Sequence, residues 1–385
     1  MDADSYQLIK TLHDSHYDLM LVAAGAGTHA ISNLLGVAGA SRTVLEVLVP
    51  YSAAAFNEFL GQVPEQYVSA ESARFLAGRA YTRARWLAAE DNSQIGIACT
   101  ATIITDRPKL GPHRAHIATW QPERLIGYHF FLDKGARDRT GEEEIVSRVM
   151  LNAIAEACHL EKRLPLGLRT DDDLTMELFD YASMARQLHT EQIDLFGIHA
   201  DGRICTNSSE AKGLLAGSFN PLHSGHLSLA AAAEKILGHP VVFELTALNA
   251  DKPPLATNTV LQRMAQFAGR YMVFASNAPT FVEKARLYPS TTFVVGYDTA
   301  VRILQPRYYQ DSHANMLHAL AAIREADCRF LVAGRVENQH GRFRQASDLS
   351  VPSDFSNMFL AIPGPRFRED ISSTELRHSG RKGSR

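Results

Sequence analysis

The sequence predicts an α/β protein of two domains, the second built on a doubly wound parallel sheet. Three observations carry that expectation. Short apolar runs alternate with helical patterns through most of the chain, the pattern of stacked strand and helix layers. The alternation comes in two blocks, residues 1–160 and 211–385, on either side of a looser connector over 161–210. The length of 385 residues also exceeds what one core ordinarily holds, at about 150 residues per domain.

In the first block, Tyr6, Leu8, Ile9 and Leu12 recur at helical spacing. DLMLVAAGAG, from Asp18, then reads as a buried strand entering a glycine turn. HAISNLLGV is helical, RTVLEVLVPY a strand, SAAAFNEFLG helical, and SAESARFLAGRAYTRARWL a long amphipathic helix. IGIACTATI, RAHIATW and YHFFLD follow as strands. GEEEIVSRVMLNAIAEACHL closes the block as a helix whose acidic start suits the positive end of its dipole.

The connector carries KRLPLGLRTDDDLTMELFD, with helix-ending signals and a run of three aspartates, Asp171 to Asp173. Such a run is either a metal site or a solvated loop, and the loop is the simpler reading. In the second block GLLAGSFNP is a strand entering a turn, LSLAAAAEKILG a helix, VVFELTAL a strand, and LQRMAQFAGR a helix. TTFVVGYDT and CRFLVAGRV are further strands. Short strands separated by such helices favour a parallel sheet that binds ligands outside its carboxyl ends. His313 and His318 in HANMLHAL read as ordinary helix-face histidines.

Composition removes several function classes. A hydrophobic fraction of 45% and a charged fraction of 21% belong to ordinary globular chains and exclude wholesale disorder. With 39 basic and 42 acidic residues the formal charge is -3, so neither nucleic acid nor membrane is an expected partner. Cys99, Cys158, Cys205 and Cys328 form no C-x-x-C pair, which argues against a zinc ribbon or a secreted disulfide framework and fits a reducing cytoplasm. The start is acidic and no apolar run approaches the roughly 20 residues that span a bilayer, so an untargeted cytoplasmic protein is expected.

Chemistry concentrates at the first strand end of the second block. In AGSFNPLHSGHLSLAAAAEKIL, Gly217 follows the strand, and His223 and His226 stand three apart at the helix start. Glycine lets backbone approach a phosphate, a helix N-terminus offers unpaired N–H donors, and paired imidazoles meet developing phosphate charge. Near the end of the chain, ISSTELR places Ser372, Ser373 and Thr374 at a helix start with Arg377 one turn on. These residues either cap that helix or hold phosphate oxygens while Arg377 adds charge.

GSFNPLHSGH together with ISSTELR resembles the nucleotidyltransferase family of H-x-G-H enzymes. The F-N-P form with I-S-S-T-x-x-R is most similar to the nicotinamide and nicotinate mononucleotide adenylyltransferases, over about residues 213–377. The resemblance implies a Rossmann-like domain that transfers AMP from ATP to a mononucleotide and releases pyrophosphate, with Mg²⁺ bridging phosphates. Catalysis of this kind is positioning and charge stabilisation, with no covalent intermediate and no protein-held metal expected. It implies that His223 and His226 contact ATP phosphates, His226 foremost. Gly217, Ser218 and Phe219 would form the turn under the nucleotide, and Ser373, Thr374 and Arg377 would grip the triphosphate.

Lys252, after the second strand, stands where the family commonly carries a phosphate-binding lysine; the alternative is a loop lysine in solvent. Gly296 and Asp298 match the family's G-x-D segment, where the carboxylate either hydrogen-bonds nucleotide or caps a helix. The acceptor stays open. Phosphopantetheine or a polyol phosphate would be alternatives, as would a non-catalytic nucleotide sensor.

The first block is similar, over about residues 8–160, to the CinA C-terminal or nicotinamide-nucleotide amidase domain. VAAGAGTHAISNLLGVAGAS, VPYSAAAFNEFLG, VSAESARFLAGRAYTRAR and IGIACTATI carry that likeness in order. The family's nucleophile lies in an S-C-T-G-G turn, and here Ala24 takes the serine position, followed by Gly25, Ala26 and Gly27. Alanine has no hydroxyl with which to attack an amide. Tyr51 and Ser52 match the family's Y-S pair, but Phe56 falls where a lysine is expected and TATIITDRPKLGP replaces a G-I-A-G-P segment. This domain is therefore expected not to deamidate, and to serve as a binding module or as the scaffold of a homo-oligomer.

Overall fold

In the computed structural model, which describes residues 1–88, 92–107, 110–248, 253–336 and 343–363, the first alternating block becomes one mixed sheet with helices on both faces. It comprises α1 (Ala3–His13), β1 (Tyr17–Ala24), α2 (Thr28–Gly36), β2 (Val44–Leu48), α3 (Ala53–Leu60), α4 (Ala70–Leu87), β3 (Ser93–Thr102), β4 (His113–Trp120), β5 (Arg124–Leu132) and α5 (Arg139–Ala157). The period of two along β1 sorts its residues cleanly. Leu19, Leu21 and Ala23 join the core under α1, α2 and α5, while Met20 and Val22 join a second core with α3 and α4. Leu8, Ile9 and Leu12 are fully buried, whereas Tyr6 lies off their stripe and is exposed.

The looser stretch 161–210 is more ordered than a connector. It holds β6 (Asp173–Asp180), α6 (Tyr181–His189), β7 (Leu195–Ile198) and β8 (Ile204–Cys205). The first sheet runs β2-β1-β3-β4-β5-β6, parallel from β2 to β3 and antiparallel from β3 to β6. As an edge strand with one open face, β6 leaves Met176 and Leu178 exposed, so its pattern lacks the apolar run that marks a central strand. The acidic run beside it is structural: Asp172 accepts from the Arg137 guanidinium at 2.5 and 3.0 Å and from the backbone N–H of Asp133 and Arg169.

The second block contributes β9 (Gly213–Gly217), α7 (Ser224–Leu237), β10 (Val241–Thr246), α8 (Thr257–Met264), β11 (Val273–Ser276), α9 (Phe281–Leu287), β12 (Thr292–Gly296), α10 (Tyr297–Ile303), α11 (His313–Glu325) and β13 (Arg329–Ala333). A small hairpin of β14 (Arg335–Val336) and β15 (Phe343–Arg344) precedes β16 (Phe359–Ile362). The sheet order is β16-β13-β12-β9-β10-β11-β7-β8. The six strands from β16 to β11 are parallel, and β7 and β8 add an antiparallel edge.

Numbered along the chain, those six parallel strands lie in the order 6-5-4-1-2-3, the doubly wound Rossmann-like arrangement. The order reverses between β9 and β12. There the pairing covers only Gly213 to Leu215 against Thr292 to Val294, so Ala216–Gly217 and Val295–Gly296 part to open a crevice at the carboxyl ends.

The two sheets share a core rather than merely touching. One apolar cluster joins Met20, Ala77, Tyr81 and Trp120 of the first block to Phe196, Phe243 and Phe267 of the second. Gly78 of α4 and Gly269 make this approach feasible: a Cβ on Gly78 would stand 2.5 Å from the Gly269 nitrogen, and one on Gly269 would stand 2.3 Å from the Arg79 nitrogen. Arg74, almost fully buried, ties the same interface by ion pairs to Asp201 at 2.9 Å and Glu177 at 2.6 Å. Among the described residues no helix is long and apolar enough to cross a membrane.

Candidate active site

The turn after β9 is fixed from beneath. A Cβ on Gly217 would meet the Phe219 ring at 2.8 Å, so only glycine lets the strand end fold over that ring. Phe219 itself takes φ +42°, a left-handed conformation that costs a β-carbon residue about 1–3 kcal/mol. Its phenyl ring is buried against Phe243 and Phe267, which holds the backbone there. Phe219 therefore serves the turn as an anchor, while Ser218 is exposed at the crest.

Two residues that sequence reading passed over clamp this turn from α8 and the 3-10 turn after it. Arg263 donates to the Ser218 carbonyl at 3.1 Å. The Gln266 amide works at both ends: its nitrogen donates to the Phe219 carbonyl at 2.8 Å, and its oxygen accepts from the Leu222 N–H at 2.9 Å. Neither residue belongs to the H-x-G-H motif, and their polarity within the helical LQRMAQFAGR pattern was the only available signal.

His223 occupies the N-cap position of α7 and His226 its first turn. Their rings lie against each other with centroids 3.7 Å apart and planes tilted by 31°, and Phe219 meets His226 edge-on at 5.1 Å. The His223 backbone N–H donates to His226 Nδ1 at 3.3 Å. A neutral imidazole that accepts at Nδ1 carries its proton on Nε2. Burial, and then the neighbouring His223, push the His226 pKa down to about 3. At neutral pH His226 is thus an oriented hydrogen-bond donor without a charge, set at the positive end of a helix.

Across the crevice, Gly296 is the N-cap of α10 and Asp298 lies in its first turn. The N-cap position suggested for Asp298 is held by Gly296, with no side-chain cap, and the Asp298 carboxylate pairs with Arg335. Gly217, His223, His226, Gly296 and Asp298 are therefore all gathered at the carboxyl ends of β9 and β12. Lys252, Ser373, Thr374 and Arg377 lie outside the described residues. Among the described residues, no three His, Cys, Asp or Glu side chains stand together in a way that would hold a metal ion.

The first block repeats the strand, glycine turn and helix, and fills it. Gly25 and Gly27 have φ +97° and +94°, and a Cβ at Gly25 would meet the Ala101 carbonyl oxygen at 1.9 Å. At the start of α2, Glu143 Oε1 accepts from the Gly27 N–H at 3.0 Å, the His29 N–H at 3.1 Å and the Thr28 hydroxyl at 3.2 Å. Ser147, one turn further along α5, donates to the same oxygen and accepts from the Ala30 N–H. Phe56 is buried in the apolar core.

Residues 214–379 match the cytidylyltransferase-like family model. No curated protein matches the chain. Among solved structures, the competence/damage inducible protein CihA from Agrobacterium tumefaciens is similar at 20% identity, over 42% of this chain and 98% of its own, with a TM-score of 0.33. A competence-damaged protein (CinA) superfamily protein from Escherichia coli is similar at 18% identity, over 41% and 92%, with a TM-score of 0.33. One from Klebsiella pneumoniae shows 14% identity, over 40% and 96%, with a TM-score of 0.32. The C-terminal half thus carries a nucleotidyltransferase-like domain, and the CinA proteins lie over the N-terminal part.

Proposed function

We propose that the chain transfers AMP from ATP to nicotinamide or nicotinate mononucleotide, giving the dinucleotide and pyrophosphate. The observation that carries this reading is the close His223–His226 pair at the start of α7, beside the crevice where the strand order reverses. In the reaction a phosphate oxygen of the acceptor attacks the α-phosphorus of ATP, a new P–O bond forms, and the bond to the β-phosphate bridging oxygen breaks. Pyrophosphate leaves with that electron pair. The protein has no bond to make, so it works by alignment and charge stabilisation.

The neutral His226 donates from Nε2 to a phosphate oxygen, and the N-terminus of α7 adds its partial positive charge. An arriving polyphosphate raises the proton affinity of the His226 imidazole. Gly217 admits the nucleotide close to the backbone, and Asp298 keeps lone pairs for a ribose hydroxyl while paired with Arg335. Lys252, Ser373, Thr374 and Arg377 take the phosphate-gripping roles that their motifs imply. The described residues offer no protein cage for Mg²⁺, which in this reading arrives on the phosphates, and no step is assigned to it.

The first domain, in the same reading, is not an amidase: Ala24 has no nucleophile, Phe56 is core, and Glu143 fills the turn. It serves as a scaffold, and the intact protein as a homo-oligomer.

A second reading has its own support, since the family match is to cytidylyltransferase-like proteins: cytidylyl transfer from CTP to a polyol phosphate. Pyrophosphate release with ATP or CTP, across nicotinamide mononucleotide, nicotinate mononucleotide, phosphopantetheine and glycerol 3-phosphate, separates the two. The proposal requires ATP with a pyridine mononucleotide to exceed every other pairing by at least about 100-fold, some 2.7 kcal/mol of transition-state preference. Preference for CTP would establish the second reading, and tight nucleotide binding without turnover would make the protein a sensor.

A further inference from the structure

A cleft of about 520 Å³ lies between the two domains. That volume falls within the range of small-molecule pockets, roughly 300–1,000 Å³. Its walls come from β2, α3 and α4 of the first domain, and Arg270 of the second closes it. The lining combines two kinds of chemistry: the guanidinium groups of Arg79, Arg83 and Arg270, and the flat faces of Phe59 and Trp86.

The arginines are not equivalent. Arg83 is already satisfied by a bidentate pair with Glu46, at 2.8 and 3.1 Å. Arg79 donates its Nε to the Phe59 carbonyl at 3.0 Å; that bond sets the plane of the guanidinium and leaves its two terminal nitrogens for another acceptor. Its carbon lies 6.0 Å from the centroid of the Phe59 ring. Glu58, the other carboxylate of the lining among the described residues, is exposed. Arg270 closes the cleft from the second domain and is partly buried.

We propose that this interdomain cleft binds a small aromatic phosphomonoester of mononucleotide size. Arg79 and Arg270 take the phosphate oxygens in charge-assisted hydrogen bonds, and Trp86 and Phe59 take the ring. The site exists only in the joined chain, because its arginines come from both domains. It is separate from the α2 turn, where Glu143 sits, and from the α7 turn, where the two histidines meet. Arg270 lies four residues beyond Gln266, the clamp of the α7 turn, so the two sites share one short segment.

The chain has two tryptophans, Trp86 and Trp120, and Trp120 is buried in the core, so ligand-induced fluorescence change reports on Trp86. The full-length protein is titrated with AMP, ribose 5-phosphate and inorganic phosphate, by fluorescence and by calorimetry. Saturable AMP binding that changes Trp86 emission is expected, with ribose 5-phosphate and phosphate at least tenfold weaker. Arg79→Gln and Arg270→Gln are each expected to weaken AMP at least tenfold while the thermal melt shows a folded protein. His226→Ala should leave the Trp86 signal in place, which separates this cleft from the α7 site whatever reaction that site performs. Unchanged AMP affinity in the Arg79→Gln, Arg270→Gln double variant, loss of the signal in His226→Ala, or no fluorescence change at saturation would each overturn the proposal.

Discussion

The two domains build the same local device and finish it differently. Each runs a buried parallel strand into a glycine turn and then into a helix whose first N–H groups need acceptors. At α2 the acceptor is the protein's own carboxylate: one oxygen of Glu143 takes four donors, from Gly27, Thr28, His29 and Ser147. At α7 the turn is supported from below by Gly217, Phe219 and Gln266, and two imidazoles lie against each other at the helix start. A helix N-terminus is an anion site by physics alone, and what the chain places in front of it decides whether it binds a ligand or serves the fold.

Breaking the open member should have the largest effect. His226→Ala removes an oriented donor at developing phosphate charge, and turnover is expected to fall by about 100-fold or more, with the circular dichroism spectrum unchanged. Full activity in that variant would place the α7 turn beside the α2 turn as a structural element. The filled member should respond in stability instead. Glu143→Ala strands four donors and is expected to cost about 1–3 kcal/mol, part of which sulfate at millimolar concentration should restore. A melting temperature that sulfate raises in the variant, and not in the parent, would show the carboxylate standing in for an anion; equal response in both would refute it.

Acid should weaken the fold through a third effect, smaller near neutrality and growing as pH falls. Burial depresses His226 to about 3 and, with His129 next in importance, His116 to about 4. The unfolded chain takes up protons at these histidines from about pH 6.5 downward, whereas the folded chain refuses them until much lower pH. Stability is therefore full above about 6.5 and declines as pH drops toward 4 and then 3. Glu177, held to about 2 by His129 and Arg74 against its own desolvation, adds a loss that begins below its usual 4.5. Urea titrations at pH 7.5 and 5 would measure the slope, and His116→Asn should flatten it. The smallest expected effect is none: Ala24→Ser should show no hydrolysis of nicotinamide mononucleotide, because the restored hydroxyl would still face a turn filled by Glu143 and lack the lysine replaced by Phe56.

Much of this contrast was legible in the sequence, for reasons that are local. Strands with apolar runs such as VVFEL and FVVG, the glycine turns, and the three-residue spacing of His223 and His226 depend on neighbours along the chain. So did the absence of a hydroxyl at Ala24. Glu143 was not legible, since its partners lie more than 110 residues away. The same holds for Arg74, which reaches Asp201 across 127 positions, and for Gln266, 47 positions from the carbonyl it holds. β6 escaped notice because an edge strand with one open face has no need of a hydrophobic run. β11 escaped because four residues are too few for a pattern to emerge.

The glycine contact between α4 and the second domain bears on how this molecule comes apart. Gly78 and Gly269 bring main chain against main chain, with Trp120, Phe196 and Phe267 packed in one continuous cluster around them. A cut near residue 210 would leave both fragments with a bare apolar face. Melting should therefore be a single cooperative event in which both domains are lost together, and a chain that reads as a tandem of two modules behaves thermodynamically as one.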